Sequence, residues 1–133
     1  MKFEVMLVDD DDMVLFVISR YIRKSGLSLN PLNFRNGQEA LDYITAHQDP
    51  GMNFIVLLDI NMPVMNGWQF LEAVKDHEVA QRIRVAMVTS SVDFEDADRA
   101  KTFPMVVSYL IKPVDTDMLA SLKKVPQLQE FYN

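Results

Sequence analysis

Four short apolar runs, far apart along the chain, each end on a carboxylate, a hydroxyl or an ammonium. Phe3, Glu4, Val5, Met6, Leu7 and Val8 run into Asp9, Asp10, Asp11 and Asp12. Phe54, Ile55, Val56, Leu57 and Leu58 run into Asp59; residues 84–88 run into Thr89, Ser90 and Ser91; residues 106–111 run into Lys112 and Pro113. Short continuous apolar runs bounded by polar residues suit strands buried on both faces, as in a parallel sheet covered by helices. In such a sheet the carboxyl ends of the strands share one edge, so residues distant in sequence converge there.

Helical patterns fill the gaps between the runs. Val14, Val17, Ile18, Tyr21 and Ile22 have the three-and-four spacing of an amphipathic helix, which Gly26 ends. Ala40, Leu41 and Ile44 form a shorter stripe after Asn36 and Gly37, and Phe70, Leu71 and Val74 another after Asn66. Phe94, Ala97 and Ala100 mark a very polar fourth helix, and Met118, Leu119 and Leu122 follow Asp115, a good N-cap residue. Residues 27–34 read as a strand interrupted by Pro31 and two asparagines, which suits an edge position. Five strands alternating with five helices make a doubly wound α/β domain.

Length and composition narrow the function classes. The 133 residues match the size of one domain, so residues 1–133 are expected to share a single core. No cysteine is present, which removes disulfide and thiolate chemistry. The formal net charge of −6 disfavours nonspecific binding to nucleic acid, which Lys and Arg drive by displacing counterions. The N-terminal residues lack the pattern of a secretory signal, and no apolar run is long enough to span a bilayer. The expectation is a cytoplasmic protein with neither nucleic-acid nor membrane partners.

The chemistry starts with the acids. Two carboxylates about 5 Å apart repel by roughly 3 kcal/mol at an effective dielectric near 20. Asp9, Asp10 and Asp59 therefore need cations if they meet. Magnesium suits them, because it takes one or two carboxylates, keeps several waters and leaves room for phosphate oxygens; Lys112 supplies a second positive charge. The other reading of the acidic run is a solvated turn and helix N-terminus, where the helix dipole favours acids. That reading is kept for Asp11 and Asp12. A carboxylate at Asp59 either binds metal only or also attacks phosphorus, once cations have withdrawn charge from the phosphoryl oxygens. Thr89 alone reads as a strand-end hydroxyl and Lys112 alone as a snorkelling surface lysine.

Taken together these segments resemble the receiver domain of two-component response regulators. The resemblance rests on Leu7-Val8-Asp9-Asp10, Asp59-x-x-Met62-Pro63-x-x-x-Gly67, Val88-Thr89-Ser90 and Tyr109-Leu110-Ile111-Lys112-Pro113, in that order, and it covers essentially the whole chain. Asn36-Gly37-Gln38-Glu39-Ala40-Leu41 also looks like that family's second-helix start. The resemblance implies a flavodoxin-like five-stranded parallel sheet in the order 2-1-3-4-5, and a stand-alone regulator similar to the single-domain chemotaxis type. It implies that Asp59 accepts a phosphoryl group from a histidine kinase or histidine phosphotransfer protein. Magnesium would then be held by Asp9, Asp10, Asp59 and the backbone carbonyl of Asn61, while Lys112 and Thr89 hold the phosphoryl oxygens. The Lys112–Pro113 bond is expected to be cis. The site would catalyse its own phosphorylation and dephosphorylation without turning over an external substrate.

The family pattern also supplies a switch. Thr89 would move toward the phosphoryl group and Tyr109 inward, reshaping a protein-binding face for a downstream target, with Phe94, Phe103 and Met105 as partner contacts. The alternative for Tyr109 is a partly buried aromatic on an edge strand. Thr102, Phe103, Pro104 and Met105 stand where the family often has a glycine, so the fourth helix is expected to be short or mobile. His47 and His77 read as surface residues and Trp68 as packing. Leu128, Phe131 and Tyr132 either pack the tail on the body or contact a partner. Two other function classes stay open: a receiver-like module that binds partners without phosphorylation, and a magnesium phosphohydrolase with an aspartyl nucleophile. The second places an acid/base carboxylate two residues after the nucleophile, where this chain has Asn61, and an amide cannot shuttle that proton.

Overall fold

The computed structural model describes residues 2–133. The elements run β1 (Phe3–Val8), α1 (Asp12–Ser25), β2 (Leu32–Phe34), α2 (Gly37–Ala46), β3 (Asn53–Leu58), α3 (Gly67–Lys75), β4 (Ile83–Thr89), α4 (Phe94–Lys101), β5 (Val106–Ile111) and α5 (Thr116–Ser121), with short 3-10 segments between or after them. All strand pairs are parallel and the sheet order is β2-β1-β3-β4-β5. This is the flavodoxin-like order that the resemblance implies.

Strand alternation divides the core into two layers. Val5, Leu7, Ile55, Leu57, Ala86 and Val88 face α1 and α5, where Leu15, Ile18, Ile22, Leu119 and Leu122 complete one cluster. Met6, Val8, Phe54, Val56, Leu58, Val85 and Met87 face the other way, onto Ala40 and Ile44 of α2 and Phe70, Leu71 and Val74 of α3. The central strands β1, β3 and β4 are thus apolar on both faces, which is why they read as unbroken apolar runs. Side chains point to alternate faces with period two, so a one-residue slip would exchange the two layers and is strongly resisted.

Caps set the helix boundaries. The Asp11 carboxylate accepts from the Met13 and Val14 N–H groups, and Asp115 accepts from Met118 N–H. Asn66 and Gln69 form a reciprocal capping box at the start of α3. Gly26 closes α1 at φ +83°, the left-handed conformation that a glycine adopts without a Cβ clash.

Three expectations are corrected. Of residues 27–34 only Leu32–Phe34 pair as a strand, at the β2 edge; Leu27 is instead buried against α1. In α1 the buried face is Leu15, Ile18 and Ile22, so Val14, Val17 and Tyr21 flank it rather than centre it. Phe103 and Met105 are core residues, not contacts for a partner: Phe103 stacks on Trp68, and only Phe94 of that trio is exposed, at 85%. The fourth helix is short, at eight residues, with only Ala100 buried.

The tail packs on the body. Leu128 and Phe131 are buried, the rings of Phe131 and Tyr132 meet Phe3, and the Tyr132 hydroxyl donates to the Leu27 carbonyl at 2.8 Å. Burial pushes that phenol well above its ordinary pKa.

Candidate functional site

The backbone just beyond the strands is still part of the ladder. Asp9 N–H donates to Phe34 carbonyl at 3.0 Å, Asp59 N–H to Val8 carbonyl at 3.0 Å, and Lys112 N–H to Thr89 carbonyl at 2.8 Å. These bonds fix the main chain of the charged residues to the rigid sheet, so their side chains meet at one edge with little freedom to drift. The convergence expected from the apolar runs is real.

Asp9 is 2% exposed, Asp59 7% and Thr89 0%, whereas Asp10 is open to solvent. Carboxylate oxygens of Asp9, Asp10 and Asp59 lie within 4.8 Å of one another. Asp9 accepts from Asp11 N–H through one oxygen, at 2.9 Å, and from the Lys112 ammonium through the other, at 2.5 Å. Asp59 does the same with Ile60 N–H at 2.7 Å and Lys112 at 3.3 Å. Each buried carboxylate thus has one oxygen held by the backbone and the other turned toward a shared cation.

Electrostatics follow from burial. Loss of water pushes the Asp59 carboxyl up; the Lys112 ammonium pulls it back, Asp9 adds to the rise, and Ile60 N–H opposes it, leaving the group above its ordinary value. For Lys112 burial works the other way, but the Asp9 hydrogen bond and the two carboxylates outweigh it, so the ammonium is held more firmly than in water. Three carboxylates against one ammonium leave a net of two negative charges, the deficit that a divalent cation would fill. The donor set fits magnesium: hard oxygens only, with Asp10 and Asn61 on the exposed side where water ligands have room. The Asn61 backbone carbonyl accepts no hydrogen bond among the described residues.

The acidic run divides its work. Asp11 caps α1 and Asp12 pairs with Arg35 on the surface, so Asp9 and Asp10 are the members that reach Asp59. The Lys112–Pro113 bond is cis. In the loop after Asp59, a Cβ on Gly67 would stand 2.4 Å from the Asp59 carbonyl oxygen, so only glycine permits the loop to fold against the Asp59 backbone. Gly67 N–H donates to Ile60 carbonyl at 2.8 Å across this contact.

Thr89 and Tyr109 meet through Ser91, which the sequence places beside the site but gives no link to Tyr109. Ser91 N–H donates to the Thr89 hydroxyl at 3.2 Å, and the Tyr109 hydroxyl donates to the Ser91 carbonyl at 3.4 Å. Thr89 donates to nothing among the described residues, leaving a completely buried hydroxyl with a spare hydrogen. Tyr109 is half-buried against the core, and burial holds its phenol above the ordinary value, with Asp96 and Asp93 adding to the rise and the Ser91 contact opposing it. Trp68 lies away from such chemistry in character: its ring stacks on Phe103 with Arg99 4.4 Å above its face. His47 stacks on Tyr43, and His77 caps a 3-10 turn; both are exposed.

Known proteins resemble this chain in sequence and fold. The response regulator receiver domain model matches residues 5–123. The probable methanogenesis regulatory protein FilR2 of Methanothrix harundinacea is 31% identical over 132 residues, covering 98% of this chain and 83% of that protein. The regulatory protein AtoC of Escherichia coli is 33% identical over 116 residues, 86% of this chain but 23% of its own length. Among solved structures, a response regulator receiver protein from Dyadobacter fermentans superposes with a TM-score of 0.78 at 31% identity, over 92% of this chain and 95% of that one. A two-component response regulator from Cytophaga hutchinsonii gives 0.80 at 27% identity, over 98% and 99%. With a matching family model across most of its length, the same fold and the acidic edge in place, this chain belongs to the response regulator receiver domain family of two-component systems.

Proposed function

We propose that the chain is a phosphoryl-accepting switch in which Asp59 is the acceptor and all 133 residues form one receiver domain. The observation that carries this reading is the Asp59 carboxylate itself: buried, 3.3 Å from an ammonium and within 4.8 Å of two further carboxylates. A phosphohistidine on a histidine kinase or phosphotransfer protein is the donor. An Asp59 oxygen attacks phosphorus, the P–O bond forms as the P–N bond breaks, and the imidazole nitrogen leaves with the bonding pair and takes a proton. Lys112 neutralises charge on the phosphoryl oxygens, and the free hydrogen of the Thr89 hydroxyl donates to one of them. Asp9, Asp10, Asp59 and the Asn61 carbonyl would hold magnesium, which would supply positive charge that lets an anionic nucleophile approach an anionic phosphoryl group. Asp9 keeps Lys112 pointed at the acceptor. The phosphorylated protein then presents a changed surface to a downstream protein, with exposed Phe94 at the start of α4 as one contact.

Intact-mass spectrometry after incubation with acetyl phosphate tests the reading. The expected result is a gain of one phosphoryl group that requires magnesium, is abolished by a chelator and is absent in Asp59→Asn. A wild-type chain that takes up no phosphoryl group from this donor or from histidine kinases would favour the phosphorylation-independent binding module instead.

A further inference from the structure

Ser91 lies two residues beyond the end of β4 and has every polar group engaged. Its N–H holds the Thr89 hydroxyl, and its carbonyl accepts from the Tyr109 hydroxyl. Its own hydroxyl donates to the Asp96 carboxylate at 2.7 Å and accepts from Asp93 N–H at 3.3 Å. The bond to Asp96 is the shortest of the four and the only one to an ionised side chain, and such charge-assisted bonds are the stronger class. Asp96 sits in the first turn of α4, a helix held to the body by one fully buried residue and by Arg99 on Trp68.

We propose that Asp96 is a positioning residue for Ser91. Through the Ser91 hydroxyl it fixes the one residue that binds both Thr89 and Tyr109, so a displacement of the Thr89 hydroxyl is passed to Tyr109 and to α4 along Thr89–Ser91–Asp96. The inference rests on the phosphoacceptor reading for its purpose but not for its geometry. If Thr89 moves toward a phosphoryl group on Asp59, the Ser91 N–H must follow it or lose its only partner. With the Ser91 hydroxyl tied to Asp96, that shift pulls on the first turn of α4. Without the tie, the loop over residues 90–93 absorbs the movement and neither Tyr109 nor α4 responds. Tyr109 has space to respond, because a cavity of about 190 Å³ lies between α4 and β5, lined by Ala97, Ala100, Val106 and Tyr109.

Amide hydrogen exchange and tyrosine-ring NMR of the intact chain test the tie before any phosphorylation. In Asp96→Ala the Ser91 amide should exchange about five-fold faster and the Tyr109 ring signals should move, as expected for losing one partly exposed hydrogen bond to a charged group. Asp96→Asn keeps an acceptor for the Ser91 hydroxyl and should restore both readings. Ser91→Ala, which retains the backbone contacts, should match Asp96→Ala, and the double variant should add nothing further. Acetyl phosphate and magnesium provide the second arm: Asp96→Ala should still be labelled on Asp59, while the Tyr109 ring shift that accompanies labelling in the wild type shrinks. Wild-type exchange at Ser91 in Asp96→Ala, or additive effects in the double variant, would overturn the proposal. Failure of Asp59 to be labelled in the wild type would instead overturn the phosphoacceptor reading and leave the exchange result standing.

Discussion

The Lys112 ammonium and the Asp9 carboxylate, 103 residues apart in sequence, are hydrogen-bonded at 2.5 Å across the carboxyl edge of the sheet. Lys112 follows the edge strand β5 and Asp9 follows β1, with β3 and β4 between them, and the same ammonium also stands 3.3 Å from the Asp59 carboxylate after β3. One cation serves two buried anions.

Replacing Lys112 by methionine keeps the stem and removes the charge. The two buried carboxylates then face each other uncompensated, and unfolding free energy at neutral pH should fall by about 3 kcal/mol, as when one partner of a buried ion pair is lost. Urea denaturation measures this, and on the proposed reading magnesium, which would bind only the assembled carboxylates, should recover part of the loss.

Asp59 makes stability depend on pH in a defined direction. Its folded carboxyl is raised above the ordinary value, chiefly by burial. As pH rises from below the ordinary carboxylate value, the unfolded chain ionises first. The folded state then binds more protons, and stability falls until pH passes the folded value. Asp59→Asn stays neutral and escapes this cost. Its melting temperature should exceed that of the wild type by a few degrees at pH 7, of the order expected for about 1 kcal/mol, and the gain should vanish below about pH 4. Melting curves across that range, without magnesium, read the difference.

Val64 carries a backbone cost with no packing return. It adopts φ +66° in the loop after Asp59 while 79% exposed, and a β-branched residue in the left-handed region is strained. Val64→Asn should raise unfolding free energy by about 1 kcal/mol with no change in the acid site, measured by chemical denaturation.

The sheet and its charged edge were legible because one physical fact produces both. Strands buried on two faces must be apolar throughout, and the first residues free to be polar are those just past their ends, such as Asp9 after Val8 and Asp59 after Leu58. Other features depend on contacts that no local pattern records. Val14 and Val17 look like core by spacing, yet they line an open groove with Pro113 while Leu15 takes the sheet side. Phe103 and Met105, on either side of Pro104 just after a polar helix, look exposed; both join the buried core, where Phe103 stacks on Trp68, 35 positions before it in the chain. Ser91 reads in sequence as a small residue flanking the site, and its link to Tyr109 and Asp96 comes only from the contacts that the fold brings to it.

The point of phosphoryl attachment is the most direct test of the account. Borohydride reduces an acyl phosphate to the alcohol, so treating the magnesium- and acetyl phosphate-loaded chain with borohydride and mapping its peptides locates the modified carboxylate. The account predicts homoserine at position 59 alone; homoserine at position 9 or 10, or an unmodified position 59 in a chain that has gained a phosphoryl group, would contradict it.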